Sequence, residues 1–129
     1  MKAKSSMAIF ILAAVMLFSC SKDASVLDIF IPNLSNQWVS DRNTNFFFNS
    51  DDPDKNKNES TFTGNEQNPD TGDIFQLTGK YKNYDVEFTF TEGPEKGVTY
   101  IGKFIKNSNP LRMEMKAPGN VKVTITQNL

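Results

Sequence analysis

From residue 37 onward, apolar and polar side chains alternate with a period of two. In Tyr84–Thr91 (YDVEFTFT), Val86, Phe88 and Phe90 alternate with Asp85, Glu87, Thr89 and Thr91. Leu111–Lys116 sets Leu111, Met113 and Met115 against Arg112, Glu114 and Lys116, and Asn120–Gln127 sets Val121, Val123 and Ile125 against Lys122, Thr124 and Thr126. Such alternation belongs to a strand with one buried face and one wet face. Gln37–Arg42, Thr44–Asn49, Glu59–Asn65, Ile74–Lys82 and Val98–Ile105 follow the rule less strictly, which brings the expected set to about eight strands. Upstream, Val26, Leu27, Phe30, Ile31 and Leu34 recur near helical spacing, but Pro32 interrupts them. The pattern there predicts a single helical or 3₁₀ turn at most.

The connections carry turn chemistry. Lys82-Asn83-Tyr84 reads as a tight reversal, and Gly93-Pro94, Asn109-Pro110 and Pro118-Gly119 punctuate the later strands. Asp70-Thr71-Gly72 matches the aspartic-protease tripeptide, but Asn68-Pro69 before it and Asp73 after it give turn composition instead. Short links favour antiparallel neighbours, hence a meander. Two connections, 49–58 and 65–73, are longer and strongly polar, and in a barrel they are expected to rim the open end together. A series of strands with one apolar face must close into a barrel or fold into two sheets. The expectation is therefore all-β: a small antiparallel up-and-down barrel, with a β-sandwich as the alternative. Gly64, Gly79 and Gly102 fall in phase with apolar residues of the inner face, where glycine marks a bend or a close approach. The other use of such glycines is to leave room for a ligand, although large aromatics on the same face could fill that room.

The N-terminus has a different character. Lys2 and Lys4 precede an uncharged apolar run, Met7–Phe18, that is short for a bilayer span. Charge, apolar run and small residues in that order predict a secretory signal peptide over residues 1–19. The chain's single cysteine, Cys20, follows directly, in a polar setting of Ser21, Lys22 and Asp23. It has no partner for a disulfide, and the setting is wrong for a buried thiol. Leu17-Phe18-Ser19-Cys20 resembles the lipobox of bacterial lipoproteins, and the polar start CSKD is similar to those of Bacteroidota lipoproteins. That resemblance implies lipidation of Cys20, with residues 20–33 as lipidated cysteine and tether and 34–129 as the barrel domain. Acyl chains contribute about 0.8 kcal/mol per buried CH₂, so several of them hold a small domain on a membrane. The implied location is the cell envelope, lipid-anchored at the outer membrane, on its periplasmic or its outer side.

The barrel segment resembles the calycin group, which includes lipocalins and avidins. The matching residues are Trp38 on the first strand, Phe62-Thr63-Gly64 on the third, and Gly102 on the sixth. Asn36 stands two residues before the tryptophan, where lipocalins usually carry glycine, and the last strand lacks the arginine that packs on it in that family. Trp38 is also the chain's single tryptophan, whereas several wall the avidin pocket. The resemblance implies a barrel that binds a small apolar or amphipathic ligand through inward residues, here Trp38, Phe62, Tyr81, Phe88, Tyr100 and Phe104.

Charge and composition narrow the chemistry. The 14 Lys and Arg are interleaved with 15 Asp and Glu, and no basic stripe appears, so no nucleic-acid partner is expected. Histidine is absent, which removes the commonest general base and zinc ligand. Asp52-Pro53-Asp54-Lys55-Asn56-Lys57-Asn58 spaces oxygen ligands as a calcium loop does, but Lys57 stands where such a loop needs glycine. No catalytic residue, metal or cofactor is expected. The reading is a non-enzymatic binding module, and the alternative is a protein–protein interaction module such as an inhibitor or envelope assembly factor. For that alternative, Phe47, Ile101 and Ile105, out of phase with the inner set, are candidate outer contacts.

Overall fold

The alternating segments pair in sequence order. In the computed structural model, which describes residues 29–129, eight strands form one sheet: β1 (Gln37–Ser40), β2 (Asn45–Ser50), β3 (Glu59–Gln67), β4 (Ile74–Lys82), β5 (Asp85–Phe90), β6 (Thr99–Phe104), β7 (Arg112–Ala117) and β8 (Val121–Asn128). Every neighbour is antiparallel, and β1 pairs with β8 through Gln37–Asn128 and Ser40–Ile125, closing an up-and-down barrel. The expected leader, Cys20 and the first residues of the tether lie outside the described residues.

Closure follows from a single apolar face. Phe62, Leu77, Phe88, Tyr100, Met115, Val123 and Trp38, one from each of seven strands, are all essentially buried, with Phe46 and Phe48 from β2 beside them. The rings interlock rather than enclose a void: Phe88 stacks on Tyr100 at 5.3 Å, Phe48 meets Phe62 edge-on at 5.5 Å, and Trp38 meets Phe48 edge-on at 5.7 Å. An eight-stranded barrel is just wide enough for side chains to fill it. The in-phase glycines are sites of close approach. A Cβ on Gly79 would lie 2.5 Å from the Phe62 ring, and one on Gly102 would fall on the backbone of Glu114 and within 2.8 Å of the Met115 sulfur. Ring and thioether fill the space that these glycines leave.

Asparagine handles many of the reversals. Asn36, Asn43, Asn83, Asn107 and Asn120 all have positive φ, between 53° and 70°. Asparagine tolerates this left-handed region better than other non-glycine residues. Asn36 makes that bend directly ahead of β1. Residues 68–73 form a turn in which Asn68 accepts from the Gly72 amide at 2.8 Å.

Three expectations are corrected. Residues 29–35 contain no helical turn and run as an irregular strap across one end of the barrel. Pro32 withholds an amide, and the strap's backbone finds partners on the barrel instead. The 51–58 connection and the 68–73 connection sit at opposite ends, because successive connections of a meander alternate between ends. They cannot rim one mouth together. Finally, Phe47 on β2 and Ile101 on β6 are four strands apart in an eight-stranded barrel, so they occupy opposite walls rather than one patch.

Candidate functional site

The two ends are closed by different means. At the end carrying the 41–44, 68–73, 91–98 and 118–120 connections, the closure is ionic. Glu66 lies in phase with Phe62 and Gly64 on the inner face of β3 and is only 6% exposed. Its carboxylate accepts two bonds from Arg42, from Nε at 2.7 Å and Nη2 at 2.8 Å, and a third from Thr44 Oγ1 at 2.6 Å. Arg42 reaches it from the β1–β2 turn and also donates through Nη1 to the Tyr100 hydroxyl at 3.0 Å. Its guanidinium lies over the Tyr100 and Phe90 rings, 5.6 and 6.0 Å from their centroids. Glu95, on the 91–98 loop, completes the cluster with a 2.9 Å ion pair to Arg42 Nη2 and a short hydrogen bond accepted from Tyr100.

This plug is self-satisfied. Burial by itself disfavours charge on Arg42, but the bonds and charge of Glu66, then Tyr100 and Glu95, outweigh it and hold the guanidinium above its ordinary pKa. Burial pushes the Tyr100 phenol up first, the Glu95 bond adds to that, and Arg42 opposes it. No described buried side-chain N or O lacks a partner. Each of the three guanidinium nitrogens bonds a protein oxygen, so the cluster locks the 91–98 loop and the β1–β2 turn onto the barrel.

Of these residues only Tyr100 stood out in the sequence, as an inward ligand contact rather than as a member of an ionic cluster. One signal was present: Glu66 falls on the apolar face of β3, and a carboxylate there demands a cation. Two arginines exist, Arg42 and Arg112, but nothing in the spacing says which one meets it.

At the other end rings and amides make the closure, with the Lys106 ammonium 5.7 Å from the Tyr84 ring centroid and no ion pair among the described residues of that cover. Phe30, within the expected tether, stacks on Tyr84 at 4.3 Å with a 12° interplanar angle and leans on Phe104. The Phe30 amide donates to Asn83 Oδ1 at 3.2 Å, and Asn58 Nδ2 donates to the same oxygen at 3.0 Å. Leu34 is buried, and its carbonyl accepts from Trp38 Nε1 at 3.2 Å. Buried Gln127 on β8 donates through Nε2 to the carbonyls of Asn33 and Ser35 at 2.9 and 2.7 Å. The strap thus crosses from the β4–β5 turn to the β1/β8 seam. Facing it, the 51–58 loop is pinned by Tyr81, whose hydroxyl donates to the Lys57 carbonyl at 3.1 Å. Burial raises the Tyr81 pKa above the ordinary phenol value.

Strap and loop do not meet fully. Between them lies a cavity of about 400 Å³, with Ile31, Leu34, Phe48 and Tyr81 as its apolar lining and Asn33, Lys55 and Asn56 among its polar groups. A larger depression of about 620 Å³ lies on the outer wall over β3–β6, where Ile101 is 61% exposed. Its charges are largely spent on one another: Lys103 pairs with Asp85 at 3.0 Å and Lys80 with Glu87 at 3.5 Å.

The six residues expected to contact a ligand are therefore brought together, but in the packed interior. Trp38, Phe62, Phe88, Tyr100 and Phe104 contact one another or their neighbours in the core, and Tyr81 alone among the six also borders the strap-end cavity. The carboxylates of the calcium-like loop serve the backbone: Asp52 Oδ1 accepts from the Asp54 amide and Asp54 Oδ1 from the Asn56 amide. Among the described residues no group of three His, Cys, Asp or Glu side chains is arranged to hold a metal.

Neither a known protein family, nor a curated protein, nor a solved structure matches this chain.

Proposed function

We propose that this chain is a membrane-anchored, extracytoplasmic lipoprotein whose barrel serves as a non-enzymatic binding module for a small amphipathic ligand. The observation that carries the binding reading is the strap-end cavity. Its volume falls in the range of small-molecule sites, and it sets an apolar group, Ile31, Leu34, Phe48 and Tyr81, beside a polar one that includes Asn33, Lys55 and Asn56, as an amphipathic ligand requires. The anchoring reading rests on the lipobox-like segment and on Cys20. Nine residues from Cys20 to Ile29 span at most about 30 Å, so the strap end would stay close to the bilayer surface.

Native mass spectrometry of residues 24–129, which retain every strand and core residue, tests the binding half. A co-purifying small molecule supports it, and a bare mass with every candidate amphiphile refutes it. Metabolic labelling with palmitate tests the anchor; retention of the label after Cys20→Ser would overturn it. The exposed Ile101 in the outer depression favours a second reading, a protein partner docking on the β3–β6 wall. A bare mass together with a captured partner whose binding Ile101→Asp abolishes supports that reading instead.

A further inference from the structure

The strap-end cavity has an uneven charge distribution, and that unevenness points to its ligand. We infer that it takes a single-chain anionic amphiphile, with a carboxylate or phosphate head held by Lys55 and an apolar tail laid on Ile31, Leu34, Phe48 and Tyr81. The inference rests on the binding reading above and specifies the chemistry of the same site.

The charge argument comes first. Lys55 is the cavity's one cationic residue, and no carboxylate lines it. The Lys55 ammonium donates to the Ser50 carbonyl at 3.1 Å, and among the described residues no carboxylate lies within ion-pair distance of it. The acids nearest in the chain bond neutral donors: Asp51 accepts from Thr61 Oγ1 at 2.8 Å, and Asp52 and Asp54 accept from loop amides. Lys80 and Lys103 of the outer depression, by contrast, pair with carboxylates of that same depression. An ammonium with three donors and one carbonyl partner has two donors left for an anion. Asn33 and Asn56 also border the cavity and supply neutral polar groups next to that charge.

The tail argument follows from position. Ile31 is nearly half-exposed on the strap, while Leu34, Phe48 and Tyr81 continue inward to the packed core. These four residues therefore form one apolar side of an otherwise polar cavity, and that side is continuous with the core. A volume of about 400 Å³ suits one acyl chain of moderate length and excludes a diacyl lipid drawn in whole. A free fatty acid and the exposed head and chain of a lysophospholipid present the same chemistry.

The test uses residues 24–129 and probes below their micelle concentrations. Titration calorimetry with dodecanoate, dodecyl phosphate, dodecanol and dodecyltrimethylammonium separates head from tail. The expected result is one-to-one binding of the two anions, at least tenfold tighter than dodecanol. Lys55→Glu should weaken the anions at least tenfold and leave dodecanol unchanged, while Ile31→Ser should weaken anions and dodecanol alike. Lys55→Ala, with folding checked by circular dichroism, guards against a loop rearrangement in Lys55→Glu. Equal binding of all four probes, indifferent to Lys55, would overturn the anionic-head inference and leave the binding module standing. Absence of binding by every probe would take down both. Lysophosphatidate in phosphatidylcholine vesicles identifies the source: Lys55-dependent binding there, tighter than that of monomeric dodecanoate, assigns the head to a lipid at the membrane surface, and the reverse order assigns it to a free acid.

Discussion

The two ends of this barrel solve one problem in opposite ways. Each must cover the edge of an aromatic interior where the strands stop. The Arg42 end does so with charge: one guanidinium, two carboxylates and a phenol meet over Phe90 and Tyr100. The strap end does so with mostly neutral contacts, a stacked ring pair and amide-to-carbonyl bonds from Gln127 and Trp38. An ionic cover must pair its charges, because an unpaired buried charge costs several kcal/mol. A cover of rings and amides tolerates gaps, since an incompletely packed strap forfeits only dispersion contacts. That is why the strap end retains a cavity with a cation at its rim, whereas the plug end spends its arginine on Glu66 and Glu95.

The reference for either end is the shared interior. Phe88→Ala removes a ring packed between both ends and should cost about 3–5 kcal/mol in denaturant unfolding; a loss near zero would mean the interior is not the common support. Next comes the plug. Arg42→Met strands the buried Glu66 carboxylate and should cost about 3 kcal/mol, at the low end for broken buried pairs because Arg42 is 29% exposed. Adding Glu66→Met in the same chain should restore most of that loss. If the double variant is as unstable as the sum of the singles, the cluster is not a coupled unit. At the strap end, Gln127→Leu deprives two carbonyls of a donor and should cost about 1–2 kcal/mol. Hydrogen exchange should then accelerate in residues 30–38 and stay unchanged in 91–98. Acceleration in both segments would dissolve the contrast between ends.

The smallest effect is one of pH. Tyr100 and Tyr81 have folded pKa values raised above the unfolded value of 10.0. A raised pKa favours the protonated form in the folded state, so this stability is complete below pH 10 and is lost as the pH rises above it. Unfolding midpoints should therefore fall between pH 9 and pH 11, and Tyr100→Phe and Tyr81→Phe should each reduce that fall. A fall that both variants leave untouched would assign it to other groups.

How much of this could be read from the chain depends on the range of the interaction. The strands were legible because side-chain alternation is local: Val86, Phe88 and Phe90 announce β5 without reference to any other strand. Asn83 and the Pro118-Gly119 pair announced reversals for the same reason, through the backbone conformations those residues favour. The interior roles of Gly79 and Gly102 were half legible, as phase on a strand but not as the ring or thioether that meets them. The helical spacing of Phe30, Ile31 and Leu34 misled, because those residues reach three different parts of the barrel end rather than one helix face.

The sequence by itself determined an all-β meander: a period of two, repeated about eight times with short links, has an apolar face that either a barrel or a sandwich can cover. The β1–β8 pairing decided for the barrel. The sequence also placed six aromatic residues inward. The tertiary structure alone decided what those residues do, since filling or lining an interior depends on how rings from opposite strands interlock. It alone chose Arg42 over Arg112 for Glu66, a pairing of residues 24 positions apart set by strand register. It alone brought Lys55 and the strap to the two sides of one cavity. Period and turn chemistry act over a few residues, whereas charge pairing and cavities arise between segments distant in the chain, and only closure of the sheet brings those together.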